Sequence, residues 1–422
     1  MRDFGFPVYW RFLLGFLSII FLTLSPIRES QQKHSVATGI DVLIDQHFAP
    51  LRGKRVGLVT NPTGVTGDLR ATVDVLAKAP GVKLVALFGP EHGVRGDAKA
   101  GETVANARDP ATGLPVYSLY GNTRKPTTLM LKGLDALVFD IQDIGSRSYT
   151  YIATMGNCME ACAEHHVPFV VLDRPNPIGG NRIEGNILDM KFKSGVGPFP
   201  IPYSHGLTVG ELAKMINERG WLPGGAKCDL SVVQMRGYRR DMLWPDTGLP
   251  WVPTSPHVPK PETSLYYAAT GIVGELPTVS IGVGYTLPFE LAGAPAIDPR
   301  EFAAELNRRR LTGFFFRPMT WRPFYAIFHG ESVGGVQVYI TDPVRAELTR
   351  LNFEIMDAMR KVGPIRSLFK GGTEDRMFDL VCGTDEVRRQ FIAGRSSTEI
   401  WEKWNRSAAE FRALRRSYLL YD

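Results

Sequence analysis

The chain has 422 residues, 44% of them apolar and 22% charged, which excludes a disordered protein and leaves length for two or three domains. Lys and Arg number 49 against 43 Asp and Glu, and the resulting +6 is spread along the chain rather than gathered in a stripe, so nucleic acid is not an expected partner. Four Cys exclude a disulfide scaffold, and 43 Gly with 30 Pro at no fixed period indicate structured loops rather than a fibre.

The chain begins with Arg2 and Arg11 ahead of an apolar run from Phe12 to Leu24. That run suits the core of an export signal and falls short of the roughly 20 residues a membrane-spanning helix needs. Thr23 and Ser25 suit a signal peptidase, whereas Pro26 opposes cleavage there. Residues 1–35 therefore read as a signal peptide or an uncleaved N-terminal anchor. They imply export to the periplasm or beyond, with membrane contact only through this segment.

Four short apolar runs follow, at 55–60, 83–89, 136–141 and 169–173, separated by helix-compatible stretches at 68–78, 127–132 and 149–165. Continuous apolar runs mark strands buried on both faces, and their alternation with helices predicts a doubly wound, Rossmann-like parallel α/β sheet. The first strand leads into Asn61-Pro62-Thr63-Gly64 with no G-x-G-x-x-G, and no Walker A sequence occurs, so nucleotide cofactors are not expected. Thr208 and Glu211 have capping-box spacing and predict a helix over 208–219, with Glu211 as its cap. A Pro-rich stretch at 244–262 closes this first domain, taken as 36–262. In the second, 263–422, strands are expected at 277–283, 320–328 and 335–341, and helices at 298–310, 342–362 and 396–419. Together they describe a smaller α+β domain.

Ligands of open parallel sheets bind beyond the carboxyl ends of the strands. Four predicted strands end in polar residues: Asn61; Glu91 and His92; Asp140, Asp143 and Arg147; Asp173, Arg174 and Asn176. Glu91 sits in Gly89-Pro90-Glu91-His92-Gly93, a stiff loop suited to a preorganised general acid. His92 reads either as a donor to substrate or as a structural residue. Of Asp140 and Asp143, one is expected to orient substrate or stabilise positive charge and the other to hold Arg147. Asp173 alternatively closes a self-satisfied turn. Tyr149 and Tyr151 offer aromatic surface for a sugar ring or simply pack in the core, and Glu184 and His205 come from later loops able to fold over the site. His92, Asp143 and His205 lack metal-site spacing, so no metal is expected. Cys158 and Cys162, four apart on one helix, read as buried apolar residues. No G-x-S-x-G occurs, which argues against an α/β-hydrolase.

GPEHG at 89–93, FDIQDIGSRSYTY at 139–151, LDRPNPIGG at 172–180, EGN at 184–186 and HGLTVGELA at 205–213 together resemble the exo-β-N-acetylmuramidase (NamZ) family, from about Gly39 to the C-terminus. The resemblance implies a Rossmann-like domain beside a smaller one, and release of N-acetylmuramic acid from the non-reducing ends of peptidoglycan glycans. It makes Glu91 the candidate acid, with Tyr149, Tyr151, Arg147, Asp173, Arg174, Asn176 and His205 as cleft contacts. Glycoside hydrolysis usually needs two carboxyls, about 5–5.5 Å apart in retaining and about 6.5–9.5 Å apart in inverting enzymes, and Glu91 with Asp140 or Asp143 is the expected pair. A 2-acetamido sugar also permits substrate assistance. Arg147 or Arg174 is expected to clamp the lactyl carboxylate. A non-catalytic wall-glycan binder and a metal-dependent hydrolase of another exported sugar derivative are the competing readings.

Overall fold

The computed structural model describes residues 36–91, 93–96, 107–363 and 368–422. The apolar segment 12–24 and His92 lie outside them. Seven strands form the larger sheet: β1 (Arg55–Thr60), β2 (Lys83–Gly89), β3 (Ala107–Arg108), β4 (Pro115–Ser118), β5 (Ala136–Asp140), β6 (Phe169–Leu172) and β7 (Leu230–Val233). Every residue of β5 and β6 is buried, as is all of β1 after Arg55. Successive strand side chains point to opposite faces, so unbroken burial requires cover on both. Val56, Leu58, Val138 and Leu172 pack on one face with Ile40 and Val73. Val59, Phe139 and Val171 pack on the other with Met155 of the helix Tyr151–His165 and Leu212 of the helix Val209–Glu218. The architecture is the doubly wound α/β sheet the apolar runs imply.

Strand order is β3-β4-β2-β1-β5-β6-β7, parallel throughout except where β3 meets β4. From β1 the chain builds outward through β2 and β4, then returns to β1's other side with β5. This reversal opens a crevice beyond the carboxyl ends of β1, β2 and β5.

The second half carries an antiparallel sheet of β8 (Leu291–Ala294), β9 (Phe314–Trp321) and β10 (Val333–Ile340), in the order β8-β10-β9. Phe302, Val336, Leu351 and Met356 share its core with Ile144, Ile178 and Tyr203 from loops of the larger sheet. In return Ala408, Phe411 and Tyr418 join the core of the larger sheet.

Boundaries in this half depart from the sequence expectations. Residues 277–283 form no strand; Ser280 makes only an isolated bridge to Gly293 of β8. β8 reads LAGA and carries little strand signature because space is short: a Cβ on Gly293 would lie 2.2 Å from the Gly334 carbonyl. The strand expected at 320–328 ends at Trp321 and starts six residues earlier, at Phe314. Asp342 does not start a helix. Its Oδ1 accepts from the Val344 and Arg345 amides in a turn, and the helix begins at Leu348. The single helix expected at 396–419 is divided into Ser397–Trp404, Ala408–Leu414 and a 3-10 turn. Ser396 Oγ caps the first piece.

Candidate active site

Glu91 follows β2 at the sheet's C-terminal edge and is half-buried. It lines a cleft of about 210 Å³ with Ser148, Tyr149, Thr150 and Tyr151 from the loop and helix after β5. The opposite wall comes from further along the chain and includes His257, Tyr267 and Phe289. Thr150 Oγ1 donates to Glu91 Oε2 at 3.4 Å, a long contact that leaves the carboxyl available. The Tyr120 hydroxyl, just beyond β4, also faces Glu91. Burial first and the Glu91 carboxylate second hold its pKa above the ordinary phenol value.

The tyrosines form a fixed aromatic wall. The Tyr149 ring meets Tyr151 and Tyr267 edge-on, at centroid distances of 5.0 and 5.8 Å. Tyr149 Oη donates to Thr254 Oγ1 at 2.7 Å, and Tyr151 Oη donates to the Thr254 carbonyl. The Pro-rich stretch thus anchors both rings. Apolar faces with bonded hydroxyl ends suit a sugar ring.

Beneath this wall the remaining sequence candidates occupy an interior layer. Asp140 is fully buried, and its oxygens are taken by Arg174 (Nε at 2.6 Å, Nη2 at 3.0 Å) and by Thr72 Oγ1 at 2.5 Å. It cannot pair with Glu91 in catalysis, and Arg174 is spent on it instead of on a substrate carboxylate. Arg147 is not held by an aspartate. Its buried guanidinium donates to the carbonyls of Asn186, Ile201 and Val381, stitching the two halves together away from the cleft. Asp173 accepts from the Arg174 amide of its own turn, but also from the Gly210 amide, Thr208 Oγ1 and Tyr421 Oη, so distant segments satisfy it rather than the turn alone. Asn176 bridges its own loop to the Leu207 carbonyl. Glu184 binds Arg182 and the Thr349 amide and hydroxyl, fastening one half to the other rather than covering the cleft. Asn61 Oδ1 accepts from Thr63, closing the turn after β1. Glu211 caps its helix and takes both Arg240 Nη atoms, at 2.7 and 2.8 Å.

Asp143 and His205 are a different case. Both are buried, with His205 Nε2 3.9 Å from Asp143 Oδ2, and neither Nε2 nor Asp143 Oδ1 has a hydrogen-bond partner. Burial raises the Asp143 pKa to about 7 and lowers that of His205 to about 3. Between about pH 3 and 7 the contact is therefore a polar one between uncharged groups, not an ion pair. Burial holds the pKa values of Tyr149, Tyr151 and Tyr267 up, and the nearby Asp143 carboxylate adds a smaller push in the same direction.

A second, wider cleft of about 820 Å³ shares Glu91 and Thr150 with the first. Tyr120, Arg124, Glu160 and Lys193 line it, with Met377 and Leu380 from the second half. Glu160 is paired with Lys125 at 2.7 Å. Sequence reasoning missed Tyr120 because β4 carries only four residues, two of them half-exposed, so no strand end was visible there. It missed Glu160 because the residue lies inside a helix rather than at a strand terminus.

The family models described as exo-beta-N-acetylmuramidase NamZ, N-terminal and C-terminal, match residues 56–262 and 265–421. The chain is 43% identical over 411 residues to the peptidoglycan beta-N-acetylmuramidase NamZ of Bacillus subtilis (strain 168), covering 97% of each. The chain belongs to the NamZ family. Two crystal structures of DUF1343 family proteins from Bacteroides fragilis NCTC 9343 share the NamZ-family fold of this chain. One is 48% identical with a TM-score of 0.88, covering 92% of this chain and all of that one. The other is 32% identical with a TM-score of 0.74, covering 92% and 99%. Of the motifs that carry the NamZ resemblance, Glu91 of GPEHG and the Tyr149–Tyr151 end of the long one reach the cleft. The RPN, EGN and HGLT motifs build the layer beneath it.

Proposed function

We propose that this NamZ-family chain is an exported exo-acting glycosidase that releases N-acetylmuramic acid from the non-reducing ends of peptidoglycan glycans, with Glu91 as the general acid. One observation carries this reading: Glu91 and Thr150 are the lining residues common to the narrow aromatic cleft and the wider one. An acid at such a junction can protonate the oxygen between a terminal sugar in the narrow cleft and the rest of the glycan in the wide one. The narrow volume suits one sugar, which is what exo action requires. The aromatic wall excludes water from one side of that ring, and the Tyr120 hydroxyl faces the Glu91 carboxyl.

A second carboxylate role falls either to Glu160, the other acid lining the joined clefts among the described residues, or to the acetamido oxygen of the substrate itself. The test is sugar release from a chromogenic N-acetyl-β-muramide by residues 36–422 in the presence of EDTA. Wild type is expected to turn over and Glu91→Gln to lose at least about a hundredfold in kcat. A comparable loss in Glu160→Gln assigns it the second role, and near-normal turnover assigns that role to the acetamido group. No release by wild type, with wall-glycan binding retained, would replace the glycosidase by a binding protein.

A further inference from the structure

The wide cleft carries charge that the chemistry at Glu91 does not use. Of its three cations, Lys125 is neutralised by Glu160 and Glu164, at 2.7 and 2.8 Å. Arg124 and Lys193 have no carboxylate partner among the described residues. They converge although they come from different segments. Arg124 Nη1 reaches to within 3.9 Å of the position a Cβ would take on Gly195, two residues beyond Lys193. It also lies near Tyr120, whose proton affinity its charge lowers. Ser194, between Lys193 and Gly195, holds a buried hydroxyl with no hydrogen-bond partner, in a turn closed by reciprocal amide bonds between Ser194 and Gly197. A guanidinium, an ammonium and an unsatisfied hydroxyl on one rim are the donors a carboxylate takes.

We propose that this rim of the wide cleft binds a carboxylate of the departing part of the substrate, so that the preferred substrate is a glycan whose leaving portion carries an anionic, peptide-type substituent. The proposal rests on the reading above, which places the leaving portion in the wide cleft. Arg124 pairs with the carboxylate through its planar fork, Lys193 adds a point charge, and Ser194 Oγ donates to an oxygen. Met377 and Leu380, apolar and on the facing wall, take the methyl-bearing parts of the substituent. The cations contribute binding without touching the scissile bond, so their effect belongs in KM.

The experiment compares wild type, Arg124→Met, Lys193→Met and Arg124→Lys, in the full chain, on three substrates. These are a chromogenic N-acetyl-β-muramide, a glycan fragment whose leaving portion bears a free peptide carboxylate, and the same fragment with that carboxylate amidated. Each Met variant is expected to raise KM for the acidic fragment roughly tenfold, the loss of one charge-assisted hydrogen bond. Turnover of the chromogenic muramide and of the amidated fragment should stay unchanged, and Arg124→Lys should restore part of the loss. Added salt should raise the wild-type KM for the acidic fragment alone. Equal kinetics of wild type on the acidic and amidated fragments, or a loss in the Met variants that is the same for all three substrates, would overturn the proposal. Failure of wild type to release the chromophore would instead reject the glycosidase reading on which the proposal stands.

Discussion

Asp143 and His205 show at single-residue scale how burial, not identity, sets a side chain's chemistry. Both were legible as candidates because they stand at strand and loop termini; that the fold keeps both uncharged was not, because desolvation is a tertiary quantity. The pH dependence of stability follows. Asp143 has a folded pKa of about 7 against an ordinary value of 3.8, so its contribution is complete below pH 3.8 and is lost as pH rises through 7. His205 has a folded pKa of about 3 against 6.5, so its contribution is complete above pH 6.5 and is lost as pH falls through 3. Between about pH 4 and 6.5 the two slopes oppose and cancel. Urea unfolding of wild type and Asp143→Asn across pH 4–8 should show the wild type losing stability relative to the variant as pH rises. A pH-independent difference would mean that Asp143 is ionised throughout. Asp140 and Arg174 teach the complementary lesson. Each looked like a site residue, and the fold pairs them with each other, which no reading of strand ends could foresee at a separation of 34 positions.

At the scale of elements, strands buried on both faces were read accurately and sparsely apolar ones were missed. β1 and β2 have the expected bounds because most of their buried positions are Val, Leu, Ala or Phe. β7, with Ser231 exposed, and β8, with Gly293 pressed on Gly334, carry too little pattern. The helix Val209–Glu218 was recognisable from its capping box, yet its closeness to the sheet was not. A Cβ on Gly210 would sit 2.6 Å from Val232 Cγ1 and 2.7 Å from the Asp173 carboxyl carbon. Gly210→Ala should therefore destabilise the protein by about 1–3 kcal/mol despite the higher helix propensity of Ala. An unchanged or raised midpoint in chemical denaturation would show that the helix can shift outward without cost.

At the scale of the molecule, the end of the chain returns to its first half. Tyr421 Oη donates to Asp173 at 2.6 Å, the Leu420 amide to Glu211 at 2.8 Å, and the Arg240 amide to the Asp422 carbonyl at 2.8 Å. Arg415 adds its guanidinium to the Gly180 and Gly206 carbonyls. The last residues of the second half therefore complete the polar layer under the first half's sheet. Removing residues 419–422 strips donors from two buried acids and should cost at least about 2 kcal/mol. A truncated chain that unfolds at the same denaturant concentration as the full one would show that water replaces these donors.

Local and periodic features were determined by the sequence alone: the buried parallel strands, the capped helix, and the motif set that places the chain in its family. Each depends on residues near one another in the chain, where backbone preference and burial pattern are written directly. Which polar residues meet at the cleft was decided only by tertiary structure. Glu91 and Tyr151 line one cleft while Arg147, Asp173 and Arg174 lie beneath it. Exposure and partner choice depend on segments far apart in sequence, such as the Pro-rich stretch on Tyr149 and the C-terminal tail on Asp173. A strand terminus places a side chain near the crevice, but the packing around it decides whether its charge meets a substrate or another residue.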